Sequence, residues 1–137
     1  MSFSHIQLVR YLIAAVVGCM VVATSKVHGR DLVQRDVEGY AIASCLVAQG
    51  RSDLKDQGDG WASAIIQRSR GGLDSLTAVA AAVRAELAKG NMAMIRGETD
   101  PTKQNSLPIM YCAELIDTPS VRAAIDKAEK SLARSYR

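Results

Sequence analysis

From residue 30 onward, apolar and small residues recur at steps of three and four, and no segment sustains the two-residue alternation of a half-buried strand. A chain with that period can bury its apolar side chains only by stacking amphipathic helices. Asp31 can cap a first helix over residues 31–49, with Val33, Val37, Tyr40, Ala41, Ser44, Cys45 and Ala48 on one face. Gly50 suits the left-handed position that closes it. The stretch RSDLKDQGDG, residues 51–60, reads as a polar turn region, followed by a second helix over 60–70 with Trp61, Ala62, Ile65 and Ile66 inward and Gly71-Gly72 as its breaker. A third helix over 73–89 carries Leu73, Leu76, Ala80, Val83 and Leu87 and stops at Gly90-Asn91. Pro108 fits the first turn of a fourth, over 108–116, with Ile109, Cys112, Leu115 and Ile116 inward. Thr118-Pro119 supplies a cap and a first-turn proline for a fifth, whose stripe is Val121, Ile125, Ala128 and Leu132, and residues 135–137 are expected to fray. The expected fold is all-α: one compact bundle of about five short helices spanning residues 30–137.

Residues 1–29 stand apart. A basic, acid-free start precedes the apolar run YLIAAVVGCMVVA at 11–23, and small residues follow, which is the pattern of a cleaved export signal. The run is short for a membrane span, which needs roughly 20 residues, so no stable span is expected; an uncleaved anchor is the alternative. A further variant, a lipid-modified Cys19 within VVGC, is disfavoured because the apolar run continues past it. With 1–29 removed, 15 basic and 14 acidic residues remain, a net charge of +1, and no basic block points to nucleic acid.

The remaining cysteines are Cys45 and Cys112. In an oxidising compartment such a pair reads as a disulfide closing a loop of about 68 residues, worth about 4 kcal/mol in the chain-entropy model; two buried free thiols are the alternative.

The chemistry available is limited. The only histidines are His5 and His28, so a domain beginning near residue 30 has none, which removes Cys–His and Ser–His–Asp catalysis and the usual zinc sites. No phosphate-binding or dinucleotide glycine pattern occurs, and no cofactor or metal site is expected. Glu38, Glu86, Glu98 and Glu114 are the carboxylates a glycosidase mechanism would need, and each reads more simply as a solvated charge. Trp61 is read as core, with an interface anchor as the alternative. The strongest local signal is KGNMAMIRGETDPTKQNSLP, residues 89–108, a connection far longer than compact helical domains use. Met92, Met94 and Ile95 would make an apolar patch there, with Arg96, Gly97, Glu98, Thr99 and Asp100 at its tip. The alternative is that the methionines extend the third helix or tuck into the core.

Taken together, YAIASCLVAQG in the first helix, the central GWASAII, the SLTAVAAAVRAEL helix and the late LPIMYCAELIDTPSVRAAI with its second cysteine resemble the immunity proteins of type VI secretion amidases, over about residues 31–132. The resemblance implies a periplasmic, non-enzymatic homodimer. Its partner would be a secreted papain-like peptidoglycan amidase, blocked when a loop preceding the late-cysteine helix plugs the catalytic cleft. Here that loop corresponds to residues 91–106, with Glu98, Thr99 and Asp100 as candidates to engage the toxin's imidazole. Two other readings share some of these features: another small periplasmic inhibitor of the lysozyme-inhibitor kind, and a carboxylate-dependent wall enzyme.

Overall fold

A computed structural model describes residues 31–69, 72–92 and 94–136. The expected export signal, Cys19, His5 and His28 lie outside them. The chain forms α1 (Leu32–Val47), α2 (Ser52–Arg68), α3 (Leu73–Leu87), two short strands β1 (Met94–Arg96) and β2 (Gln104–Ser106), α4 (Pro108–Leu115) and α5 (Pro119–Leu132). The all-helical bundle is therefore as expected, with one addition: the long connection contains an antiparallel hairpin. Among the described residues no helix is long and apolar enough to cross a membrane.

α1 is the hub. All four other helices pack on it, and α3 and α5 pack on each other. Its buried residues include the consecutive run Asp36, Val37, Glu38 and Gly39. At about 100° per residue, such a run covers every side of the helix. The core joins Val33, Val37, Ala41 and Cys45 of α1 to Ile65 of α2, Leu76, Val79 and Val83 of α3, Cys112 and Leu115 of α4, and Val121, Ile125, Ala128 and Leu132 of α5. The α5 stripe is the one expected from spacing. Asp31 caps α1, its side chain accepting a hydrogen bond from the Gln34 N–H at 2.8 Å.

Several expectations are corrected. The segment 51–60 is not a turn: α2 starts at Ser52 and runs through it. Its glycines do different work from what their polarity suggests. A Cβ on Gly58 would lie 2.7 Å from the Ala43 carbonyl oxygen and 2.9 Å from Val47 Cγ2, so the missing side chain lets α2 close onto the α1 backbone. Gly39 on α1 does the reciprocal job for Trp61, whose ring would stand 3.1 Å from an added Cβ. Trp61 thus lies across α1 yet stays 40% exposed, and neither it nor Ile66 is a core residue. Leu73, in the first turn of α3, and Ile109, at 66% exposure on α4, also face outward rather than inward. Thr118 occupies the N-cap position of α5, but its side chain makes no capping bond there; its hydroxyl donates to the Leu115 carbonyl at 2.8 Å and closes α4 instead. The C-terminus is tied down through residue 136, because the Tyr136 hydroxyl donates to Asp36 at 3.1 Å.

The close crossing of α1 and α2 can be tested with two neighbouring glycines. Gly58→Ala is expected to destabilise by about 1–3 kcal/mol through overpacking, against a gain in helix propensity of at most about 1 kcal/mol. Gly60→Ala places its methyl in open space and is expected to stabilise by about 0.5–1 kcal/mol. Urea unfolding followed by far-UV circular dichroism would give shifts of opposite sign; shifts of the same sign would refute the close-contact explanation.

Candidate functional site

The hairpin is built from the residues the sequence singled out. α3 stops at Leu87, so neither Met92 nor Met94 extends it. Met94 pairs with Ser106, Ile95 with Asn105 and Arg96 with Gln104. Successive side chains of a strand point to opposite faces, which puts Met94 and Arg96 on one face and Ile95 on the other. All six paired residues are exposed, Met94 by 50% and Ile95 by 45%, while Met92, before the hairpin, is half-buried. The two strands pair with each other and touch the helices only sparsely. A hairpin packed on the bundle would need one apolar face. This one carries an apolar side chain on each.

The tip is a closed turn rather than a slack loop. The Gly97 N–H donates to the Lys103 carbonyl at 2.8 Å, and the Lys103 N–H donates to the Asp100 carbonyl at 3.0 Å. Pro101 follows Asp100 at the position where its fixed φ favours such a turn. The Asp100 carboxylate accepts from the Thr102 N–H at 3.1 Å and from the Thr102 hydroxyl at 2.6 Å. These bonds hold its pKa below the ordinary aspartate value. A Cβ on Gly97 would come within 2.8 Å of the Asp100 carbonyl oxygen, so glycine is required for the tip to close. Asp100 therefore shapes the turn, and Glu98 and Thr99 are the exposed groups at its apex.

Directly after β2, Pro108 opens α4, and Cys112 on that helix bonds to Cys45 on α1, with Cα atoms 5.6 Å apart. Both cysteines are fully buried. The Gln49 amide covers the sulfurs, donating to the Cys45 carbonyl at 3.2 Å and lying 3.4 and 3.5 Å from the two Sγ atoms. Tyr40 and Tyr111 are half-buried against the core. On α4, Ile109 and Met110 are exposed, so apolar groups continue from the hairpin into the helix.

The carboxylates named from the sequence are dispersed. Glu86, on α3, accepts from Lys89 at 2.7 Å and from the Ser120 hydroxyl at 2.6 Å. Glu98 is at the hairpin apex and Glu114 on the outer side of α4. Glu38 is buried on α1, where Arg122 donates to it at 2.8 Å and Gln34 at 3.2 Å. Asp36, which sequence reasoning passed over, is buried two residues before it and is held by Arg68 through contacts of 2.6–3.0 Å and by the Tyr136 hydroxyl. Burial raises its pKa, but the hydrogen bonds from Arg68 and Tyr136 and the charges of Arg68 and Arg35 outweigh that, leaving it below the ordinary aspartate value. Glu129 on α5 goes the other way. Burial pushes its carboxyl up, the charges of Glu38 and Asp126 add to this, and its Oε1 is buried with no hydrogen-bond partner among the described residues. The partners of Asp36 and Glu38, in contrast, mark those two acids as struts between helices. Among the described residues no group of three or more His, Cys, Asp or Glu side chains is arranged to hold a metal ion.

No family model, curated protein or solved structure matches the chain.

Asp36 and Glu129 predict opposite responses to pH. Asp36 has a depressed pKa, so its contribution is present above the ordinary aspartate pKa of about 3.9 and is lost as pH falls through the lower folded value. Asp36→Asn is expected to cost about 2–3 kcal/mol near pH 7, less than a fully buried pair because Arg68 remains half in water, and the difference should narrow in acid. Glu129 has a raised pKa, so it destabilises as pH rises through that value. Glu129→Gln should raise Tm at neutral pH, with the gain fading below about pH 4. Thermal melts of both variants across that range would check the two signs.

Proposed function

We propose that the protein is a periplasmic immunity protein that binds a type VI secreted, papain-like peptidoglycan amidase and inhibits it by inserting the β1–β2 hairpin into the catalytic cleft. The observation that carries this reading is the exposed hairpin with an apolar side chain on each face. A two-walled cleft is the surface that would cover Met94 and Ile95 together, whereas a flat partner would cover only one. Shape alone then does the inhibitory work: the hairpin occupies the channel of the stem peptide and excludes substrate without chemistry.

Other features support the same reading. The closed tip, with Gly97, Asp100 and Thr102 bonded among themselves, reduces the entropy lost when the hairpin is immobilised by a partner. Glu98 and Thr99 at the apex are the polar groups free to meet the amidase's imidazole or the backbone around it. The disulfide anchors the hairpin's downstream flank and suits an oxidising compartment. The protein would act as a homodimer, each copy presenting one hairpin, and would itself perform no catalysis.

Peptidoglycan hydrolysis by a papain-like amidase of the type VI secreted class, measured with increasing amounts of this protein, tests the proposal. Replacing residues 95–101 with Gly and Ser should abolish inhibition. Met94→Asp and Ile95→Asp should each weaken it by about 2 kcal/mol, roughly 30-fold in Kd, as expected of anchors at the centre of an interface. Full inhibition by all three variants would remove the hairpin from the mechanism.

A further inference from the structure

We propose that the Cys45–Cys112 disulfide is a latch for one part of the molecule: its reduction releases β1, β2 and α4 from α1 while α1, α2, α3 and α5 stay folded. The packing divides along that line. α1 packs on α2, α3 and α5, and α3 packs on α5, so these four helices hold one another. α4 packs chiefly on α1, and the hairpin chiefly on itself. α4 has eight residues, and isolated helices shorter than about 12–15 residues are marginal in water. A lone two-stranded hairpin is no better. What fixes this segment is the covalent link at Cys112, together with the burial of Pro108, Leu115 and Ile116 at its two ends. Ile109 and Met110 face solvent and contribute nothing to holding α4 down.

The reaction requires a dithiol reductant. One of its thiolates attacks a sulfur of the bridge and forms a mixed disulfide. Its second sulfur resolves that intermediate, leaving as a cyclic disulfide. Two electrons and two protons pass from the reductant to Cys45 and Cys112, which become thiols. Both sulfurs are buried beneath Gln49, so the native bridge is shielded from a reductant until this part of the chain opens. The consequence is a hairpin held in its presented position only in the oxidised chain. The release itself is a property of this protein alone and does not depend on what the hairpin binds.

Hydrogen exchange on the whole chain, oxidised and after complete reduction with excess dithiothreitol, tests this. Peptides covering residues 94–115 should exchange at least about tenfold faster after reduction, while those containing Val37, Val79 or Ile125 should change less than about twofold. The double variant Cys45→Ala, Cys112→Ala should show the same pattern without reductant. Acceleration spread evenly over the chain, loss of helical circular dichroism in both preparations, or unchanged exchange in 94–115 would each overturn the proposal.

Discussion

The fold depends on enclosing α1. A helix with neighbours on several sides cannot keep a solvated face, and α1 carries two acids in the part that is covered. Burying a carboxylate without a partner costs several kcal/mol. The bundle therefore needs a cation opposite each: Arg68 from the end of α2 for Asp36 and Arg122 from the start of α5 for Glu38. These pairings do more than neutralise charge. Arg68 fixes where α2 ends against α1, and Arg122, which also bonds Asp117 at 2.7 Å, ties the α4–α5 junction to the hub. Tyr136 adds the C-terminal turn to the same network. Apolar packing brings the helices together, and the two acids specify how each sits.

The hairpin is organised on a different principle. It borrows little from the core, and its order comes from its own hydrogen bonds: three cross-strand pairs and a turn in which Asp100 and Thr102 satisfy one another. Its apolar side chains, Met94 and Ile95, are about half exposed and take no part in the core cluster. A segment whose backbone is ordered locally and whose apolar groups remain wet is suited to be completed by something else. That contrast with α5, whose whole apolar stripe is covered, underlies the functional reading.

The helices were legible in the sequence wherever burial follows a single stripe. Val121, Ile125, Ala128 and Leu132 read directly as the inner face of α5, and Pro108 and Pro119 as first-turn residues. The N-terminal half of α2 was not legible, because glycines in a polar stretch signal a turn when they punctuate and close contact when they pack, and only the position of α1 distinguishes the two. Trp61 misled for a related reason: it packs against a glycine on the neighbouring helix, and so lies on the surface of the core rather than in it. Asp36 and Glu38 looked like ordinary helix charges because their partners are distant in sequence, 32 and 100 residues away for Asp36 and 84 for Glu38. The hairpin region stood out by its length and its methionines. Strands of three residues are too short to show alternation, so the loop was visible and its ladder was not.

The order of the cysteines along the chain has a consequence for maturation. Synthesis runs from the N-terminus, so Cys45 is made 67 residues before the partner it has in the folded molecule. Cys19 precedes it by only 45 − 19 = 26 residues. In the unfolded 137-residue chain, loop-closure entropy favours the shorter loop, by about 0.8 kcal/mol on its logarithmic scaling. Oxidation that runs ahead of helix packing would therefore favour a Cys19–Cys45 bridge, and the hub helix would lose its cross-link to α4. The yield of protein bridged between Cys45 and Cys112 becomes a matter of timing between helix packing and thiol oxidation as much as of stability.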